Sequence, residues 1–87
     1  MPRYMIERQF AEKVELNKNA TDQINRINDE EGIKWLFSFL SADKLKTYCL
    51  YEAPNPEAIR AAAKRLNIPA HSIIEVGGTE LRPDMFA

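Results

Sequence analysis

One cysteine and one histidine are all that this 87-residue chain offers to nucleophilic or soft-metal chemistry. The lone Cys49 has no partner for an internal disulfide, and one Cys with one His cannot close a four-ligand site. A basic excess is also missing: 12 Lys and Arg stand against 13 Asp and Glu, for a net charge of −1. Phosphate backbones are held by such an excess, so nucleic acid is not an expected partner. No apolar run approaches the roughly 20 residues that span a bilayer, so no membrane partner is expected either. The opening MPRYMIERQF alternates charge and bulk and lacks the apolar block of a secretion signal. A cytoplasmic location is the resulting expectation, and the free thiol fits a reducing compartment. Without a secretion signal, the sequon Asn19-Ala20-Thr21 is read as chance. Repeats, low-complexity tracts and Pro- or Ser-rich linkers are lacking too. One domain over residues 1–87 is therefore expected.

What is present is a clear alternation of periods. Arg3 to Phe10 reads as a strand, with Tyr4, Ile6 and Phe10 on one side and Met5 on the other. Thr21 to Glu31 reads as a helix capped by Thr21 and stopped by Gly32, with a narrow stripe of Ala20, Ile24 and Ile27. Ile33 to Leu40 and Lys44 to Glu52 read as strands. Asn55 as cap and Pro56 at the first helical position open a second helix striped by Ile59, Ala62, Ala63 and Leu66. Asn67 and Pro69 end it, and Ser72 to Val76 reads as a last strand, followed by a tail from Leu81 to Ala87. The order β-α-β-β-α-β predicts an α+β, ferredoxin-like plait: a four-stranded antiparallel sheet with both helices on one face.

The segment IKWLFSFLSADKLKTYCLYEAP, residues 33–54, carries the most information. A turn at Ala42-Asp43 puts Trp35, Phe37, Phe39, Tyr48 and Leu50 on one face. Leu36, Ser38, Leu40, Leu45, Thr47, Cys49 and Tyr51 share the other. Both faces are too apolar to stand in water, and a bare face of either kind would exceed the ~300–600 Å² patch of a typical monomer. A homodimer packed sheet to sheet around a small lumen follows as the expectation. Which face meets the helices is open at this point.

Several blocks of residues carry a family resemblance. They are MPRYMIERQF, then Trp35, Ser38 and Phe39, then DKLKTYCLYEAP from Asp43 to Pro54, PEAIR from Pro56, and Ile73 to Val76. Together they resemble a family of small bacterial domains of unknown function with a ferredoxin-like fold, some of whose members are described as nickel-binding. The resemblance implies dimers of the dimeric α+β barrel type. Where nickel-binding members carry histidines in the first strand and first helix, this chain has Glu7 and Arg8 and no helical histidine. The expected cofactor is therefore none, with Cys49 and His71 the residual metal candidates.

The candidate ligand-binding residues are Glu7, Arg8, Trp35, Ser38, Thr47, Cys49 and Tyr51. Glu7 and Arg8 are adjacent on a strand and must point to opposite faces. One of them enters an interior or an interface, where a charge needs a partner. An ion pair with Glu52, Glu75 or a lysine is expected, or else an anion or acid–base site in the dimer lumen. Tyr4, Trp35, Tyr48 and Tyr51 offer walls for a flat ligand, with Ser38 and Thr47 as polar groups. Cys49 in mid-strand reads as a small buried hydrophobe, and His71 as a surface residue or a general base. Asp29, Glu30 and Glu31 read as a solvated face. The leading function is a small dimeric ligand-binding or accessory protein. The alternatives are a cofactor-free monooxygenase- or isomerase-like enzyme, which rests on fold analogy, and a nickel-binding protein.

Overall fold

The computed structural model describes residues 1–86, with only the backbone of Phe86; Ala87, the end of the expected tail, lies outside the described residues. Six main elements run in the expected order. Strand β1 is Arg3–Gln9, helix α1 Lys18–Glu30, β2 Lys34–Leu40, β3 Lys46–Glu52, α2 Pro56–Leu66 and β4 Ser72–Val76. A short 3-10 turn follows at Pro83–Phe86. The sheet is antiparallel throughout, in the order β2-β3-β1-β4. This is the ferredoxin-like α+β plait. Among the described residues no helix is long and apolar enough to cross a membrane.

Helix α1 starts earlier than its apolar stripe suggests. Asn17, not Thr21, is its cap: the Asn17 side chain accepts from the Ala20 amide at 2.9 Å. Thr21 instead donates its hydroxyl back to the Asn17 carbonyl, inside the first turn. Asn and Thr both cap well, so the cap nearer the preceding polar connection won. The C-terminus closes as expected. Gly32 at φ 72° lets its own amide reach the Asp29 carbonyl and the Ile33 amide reach Asn28. Helix α2 carries the same closure at Asn67, φ 55°, and the Asn55 cap and Pro56 stand as expected.

The acidic end of α1 is bridged as well as solvated. Arg65 of α2 contacts both Glu30 and Glu31 and ties the helices together. Its hydrogen bond and positive charge hold the Glu30 carboxyl below its usual range. The core lies between the helices and the sheet, built on Tyr4, Ile6, Ile27, Ile33, Tyr51 and Ile59 with the small Ala53 and Ala62. The alanines let α2 approach the sheet.

Two corrections apply to the β2–β3 hairpin. The strands stop at Leu40 and Lys46, so the loop is five residues rather than two, with the Ser41 amide donating to the Lys46 carbonyl. Asp43 accepts from the Ser41 hydroxyl and the Leu45 amide, and these bonds lower its pKa. Pairing therefore runs Leu40 to Thr47 and Phe39 to Tyr48, which keeps the expected parity. A bulge at Leu36 then breaks it, because Trp35 pairs with Tyr51 and Phe37 with Leu50. Trp35 thereby leaves the face of Phe37 and Phe39 and joins the helix-facing side.

Candidate functional site

The helix-facing side of the sheet holds most of the candidates. On β1 it presents Tyr4, Ile6 and Arg8, all buried. Opposite them on β3 lie Tyr51, Cys49 and Thr47. On β2, Ser38 pairs with Cys49, and its hydroxyl accepts from the Trp35 indole at 2.8 Å. Six of the seven candidate residues thus share one side, and Glu7 stands alone on the other. Cys49 is buried and free, as a small hydrophobe in mid-strand should be.

Arg8 is the unusual residue. It is 4% exposed. Its Nη1 donates to the Pro69 carbonyl at 2.6 Å, and its guanidinium carbon sits 5.8 Å from the Tyr51 ring centre. Within the chain the expected ion pair is not formed. No carboxylate of the described residues lies within ion-pair distance of it. The reason is register: Glu52 is opposite Arg3 and Glu75 opposite Tyr4, at the far end of β1. The Glu7 carboxylate also lacks a charged partner among the described residues and accepts from the Gln9 side chain of its own strand, at 3.0 Å.

Asn28 completes the group, and the sequence reading missed it. It is 2% exposed, and neither its Nδ2 nor its Oδ1 has a hydrogen-bond partner. Its side chain stands beside the Tyr51 hydroxyl without an aligned bond. The signal was available: Asn28 follows Ile24 by four residues, on the apolar stripe of α1. The buried Thr47 hydroxyl is unpartnered too. A buried cation, an amide and two hydroxyls can bind and orient a ligand. No carboxylate or imidazole among the described residues joins them, so they do not form an acid–base pair.

Burial raises the Tyr51 pKa above its ordinary value, while the Arg8 cation opposes the rise. Tyr4 is raised by burial and by Glu75 and Glu57. Both groups are therefore neutral in the fold. Their contribution to stability is complete below the usual tyrosine pKa of about 10 and is lost as pH rises through the raised values. In an ultraviolet titration, Tyr4 and Tyr51 should ionise late and together with alkaline unfolding. Ionisation of Tyr4 and Tyr51 near the usual tyrosine pKa in a still-folded chain would contradict this.

His71 is exposed at the loop before β4. Its Nδ1 accepts from the Gln9 amide at 3.1 Å, and its own amide donates to the Glu7 carbonyl. It thus extends the sheet pairing and does not approach the buried cluster as a base. Among the described residues no group of three His, Cys, Asp or Glu is placed to hold a metal ion. A separate groove of 440 Å³ at the C-terminal tail is lined by Gly78, Thr79, Glu80, Arg82, Asp84 and Met85. Its arginine is already held by Glu80.

The opposite sheet face is bare and apolar. Phe39 is 67% exposed, Ile74 59% and Phe37 49%, with Tyr48 also exposed and Met5 and Leu50 half-buried. The two phenylalanine rings meet edge to face, 5.7 Å apart.

Comparison with known proteins agrees with this architecture. A family model described as nickel responsive protein SCO4226-like matches residues 4–76. The chain belongs to this family. The crystal structure of SCO4226 from Streptomyces coelicolor A3(2) superposes with a TM-score of 0.76 at 19% identity. The match covers 90% of this chain and 99% of that one, and at such identity it shows the fold alone. No curated protein matches.

Proposed function

We propose that this member of the SCO4226-like family is a small-ligand binding or accessory protein that works as a homodimer in the cytoplasm. The bare sheet face carries the reading. Met5, Phe37, Phe39, Tyr48, Leu50 and Ile74 project from one surface that no helix covers. A fully exposed aromatic carries roughly 150–250 Å², and Phe37, Phe39 and Tyr48 keep about a third to two thirds of theirs exposed, so this group can form the apolar centre of an interface of ~800 Å² per partner. A second copy is the occupant that the charges favour. Glu7 lies among these apolar side chains, and Arg3 and Lys46 stand on the same face at the two ends. A self-complementary pairing can bring opposite charges together there. A net charge of −1 favours neither nucleic acid nor an anionic membrane as the alternative occupant. The buried free thiol suits a reducing compartment. Sedimentation equilibrium at micromolar concentration should return the mass of two chains; a stable monomer would overturn the reading.

The description of the family as nickel responsive favours a second reading, in which nickel is bound. The chain's own residues do not fit a nickel site within one subunit. His71 is exposed, Cys49 is buried under the helices, and no third donor joins either among the described residues. Nickel would have to draw ligands from two subunits. Calorimetry with nickel on tag-free protein should show no saturable submicromolar binding. A one-site isotherm lost in His71→Ala or Cys49→Ala would establish the second reading instead.

A further inference from the structure

Arg8 is a buried cation whose counter-charge does not come from the described residues. It is almost wholly buried, and among the described residues its nearest partners are the neutral Pro69 carbonyl and the neutral Tyr51 phenol, with no carboxylate in reach. A guanidinium has five N–H donors in a planar fork. A buried charge left in this state is costly unless an anion completes it. The groups around it are also incomplete. Asn28 has an unpartnered donor and an unpartnered acceptor, and Tyr51 is a neutral phenol beside both residues.

We propose that Arg8, Asn28 and Tyr51, beneath helix α1 and the loop before β4, form the binding site for a small monocarboxylate that also carries a hydroxyl. This deepens the reading of the chain as a small-ligand binding protein. It lies within one subunit, on the side of the sheet opposite the dimer face.

The charge fixes the class. One buried cation neutralises one negative charge, and a phosphate dianion would leave an excess charge buried. A carboxylate is planar and takes two parallel N–H bonds from an arginine fork. It can also accept from Asn28 Nδ2 and from the Tyr51 hydroxyl. The Oδ1 of Asn28 accepts and never donates. An O–H on the ligand would supply the donor it lacks. The wall over Arg8 is the segment of residues 67–71 between α2 and β4. It is held by the Arg8 bond to Pro69, by the Ile68 amide on Ala63 and by the His71 amide on Glu7. A carboxylate oxygen on Arg8 would take the place of the Pro69 carbonyl, and the loop shifts when it does.

The test uses the full chain and lactate as probe. Thermal midpoints are measured against lactate, propionate, lactamide, phosphate and sodium chloride at matched ionic strength. A ligand that binds only the folded state raises the midpoint with concentration. Lactate should raise it saturably, propionate less, and lactamide, phosphate and chloride not at all. The Asn28 side-chain amide signals in a nitrogen–proton NMR spectrum should shift on the same lactate isotherm. Arg8→Met should weaken lactate binding at least about tenfold, the scale for losing a charged hydrogen-bond partner. Asn28→Ala should weaken it too, and serves if Arg8→Met does not fold. No lactate effect, an equal effect of lactamide or chloride, or full binding in the variants would overturn the proposal. Sedimentation of the same samples reports the dimer separately, so either idea can fail while the other stands.

Discussion

Replacing Phe37 and Phe39 together by aspartate should turn a particle of two chains into one of 10.0 kDa. Both rings are largely exposed on the isolated subunit, so neither belongs to its core. The substitutions therefore remove little from the fold of one chain, and far-ultraviolet circular dichroism should stay close to that of the parent. The assembled state loses much more. Fully burying an exposed phenylalanine is worth about 1.5–3 kcal/mol; with Phe37 49% and Phe39 67% exposed, an interface gains roughly half of that per ring, and a twofold interface loses each one twice. Each 1.4 kcal/mol is roughly a factor of ten in affinity, so several decades are at stake even before the carboxylates are counted. Four carboxylates brought into an apolar interface, near Glu7, add repulsion and desolvation. Lys64→Asp on the exposed surface of α2 is the control and should leave the mass unchanged. If the double variant still sediments as two chains, the subunits meet elsewhere, and the bare face needs another occupant.

That face was half legible in the sequence. The alternation of Phe37, Phe39, Tyr48 and Leu50 fixes which side chains travel together, because the pleat has a period of two. It does not say which side the helices cover, and the helix stripes gave no register against the sheet. Trp35 shows a different limit. Its parity is that of Phe37, yet the bulge at Leu36 moves it to the other side, where its indole finds Ser38. A bulge inserts one residue without any composition signal here, since Leu suits a regular strand as well as a bulged one. The plait itself was legible because its punctuation is local: Gly32 and Asn67 at helix ends, and Asn55-Pro56 at a helix start. Arg8 was legible only in part. Sharing parity with Tyr4 and Ile6 places it under the helices, whereas its acceptor lies 61 residues away in a loop. Long-range hydrogen bonds to backbone carbonyls leave no trace in residue identity. The partner of Arg8 is a backbone carbonyl, so no acidic residue in the sequence marks it.

Asn28→Leu should make the protein more stable, by about 1–3 kcal/mol, the range for relieving a buried amide without partners. The two side chains branch alike at Cγ, and the site already faces an apolar stripe with Ile27 buried beside it. Leucine also favours a helix interior more than asparagine does. For a chain of this length each kcal/mol moves the melting midpoint by roughly 4–8 °C. The comparison must be made at one protein concentration, because the stability of the proposed dimer would depend on it. A fall in the midpoint would show that Asn28 is satisfied in solution, or that the space beside Tyr51 is too tight for two methyl groups. Arg8→Met in ligand-free buffer separates those causes. It removes the other buried polar residue of the cluster, from the strand side and with no crowding on α1. If both variants lose stability, the cluster is a structural network that holds the loop before β4 through Pro69. If both gain it, the chain keeps a polar group in its core at the expense of its own stability. A fold does that where the group serves something other than folding.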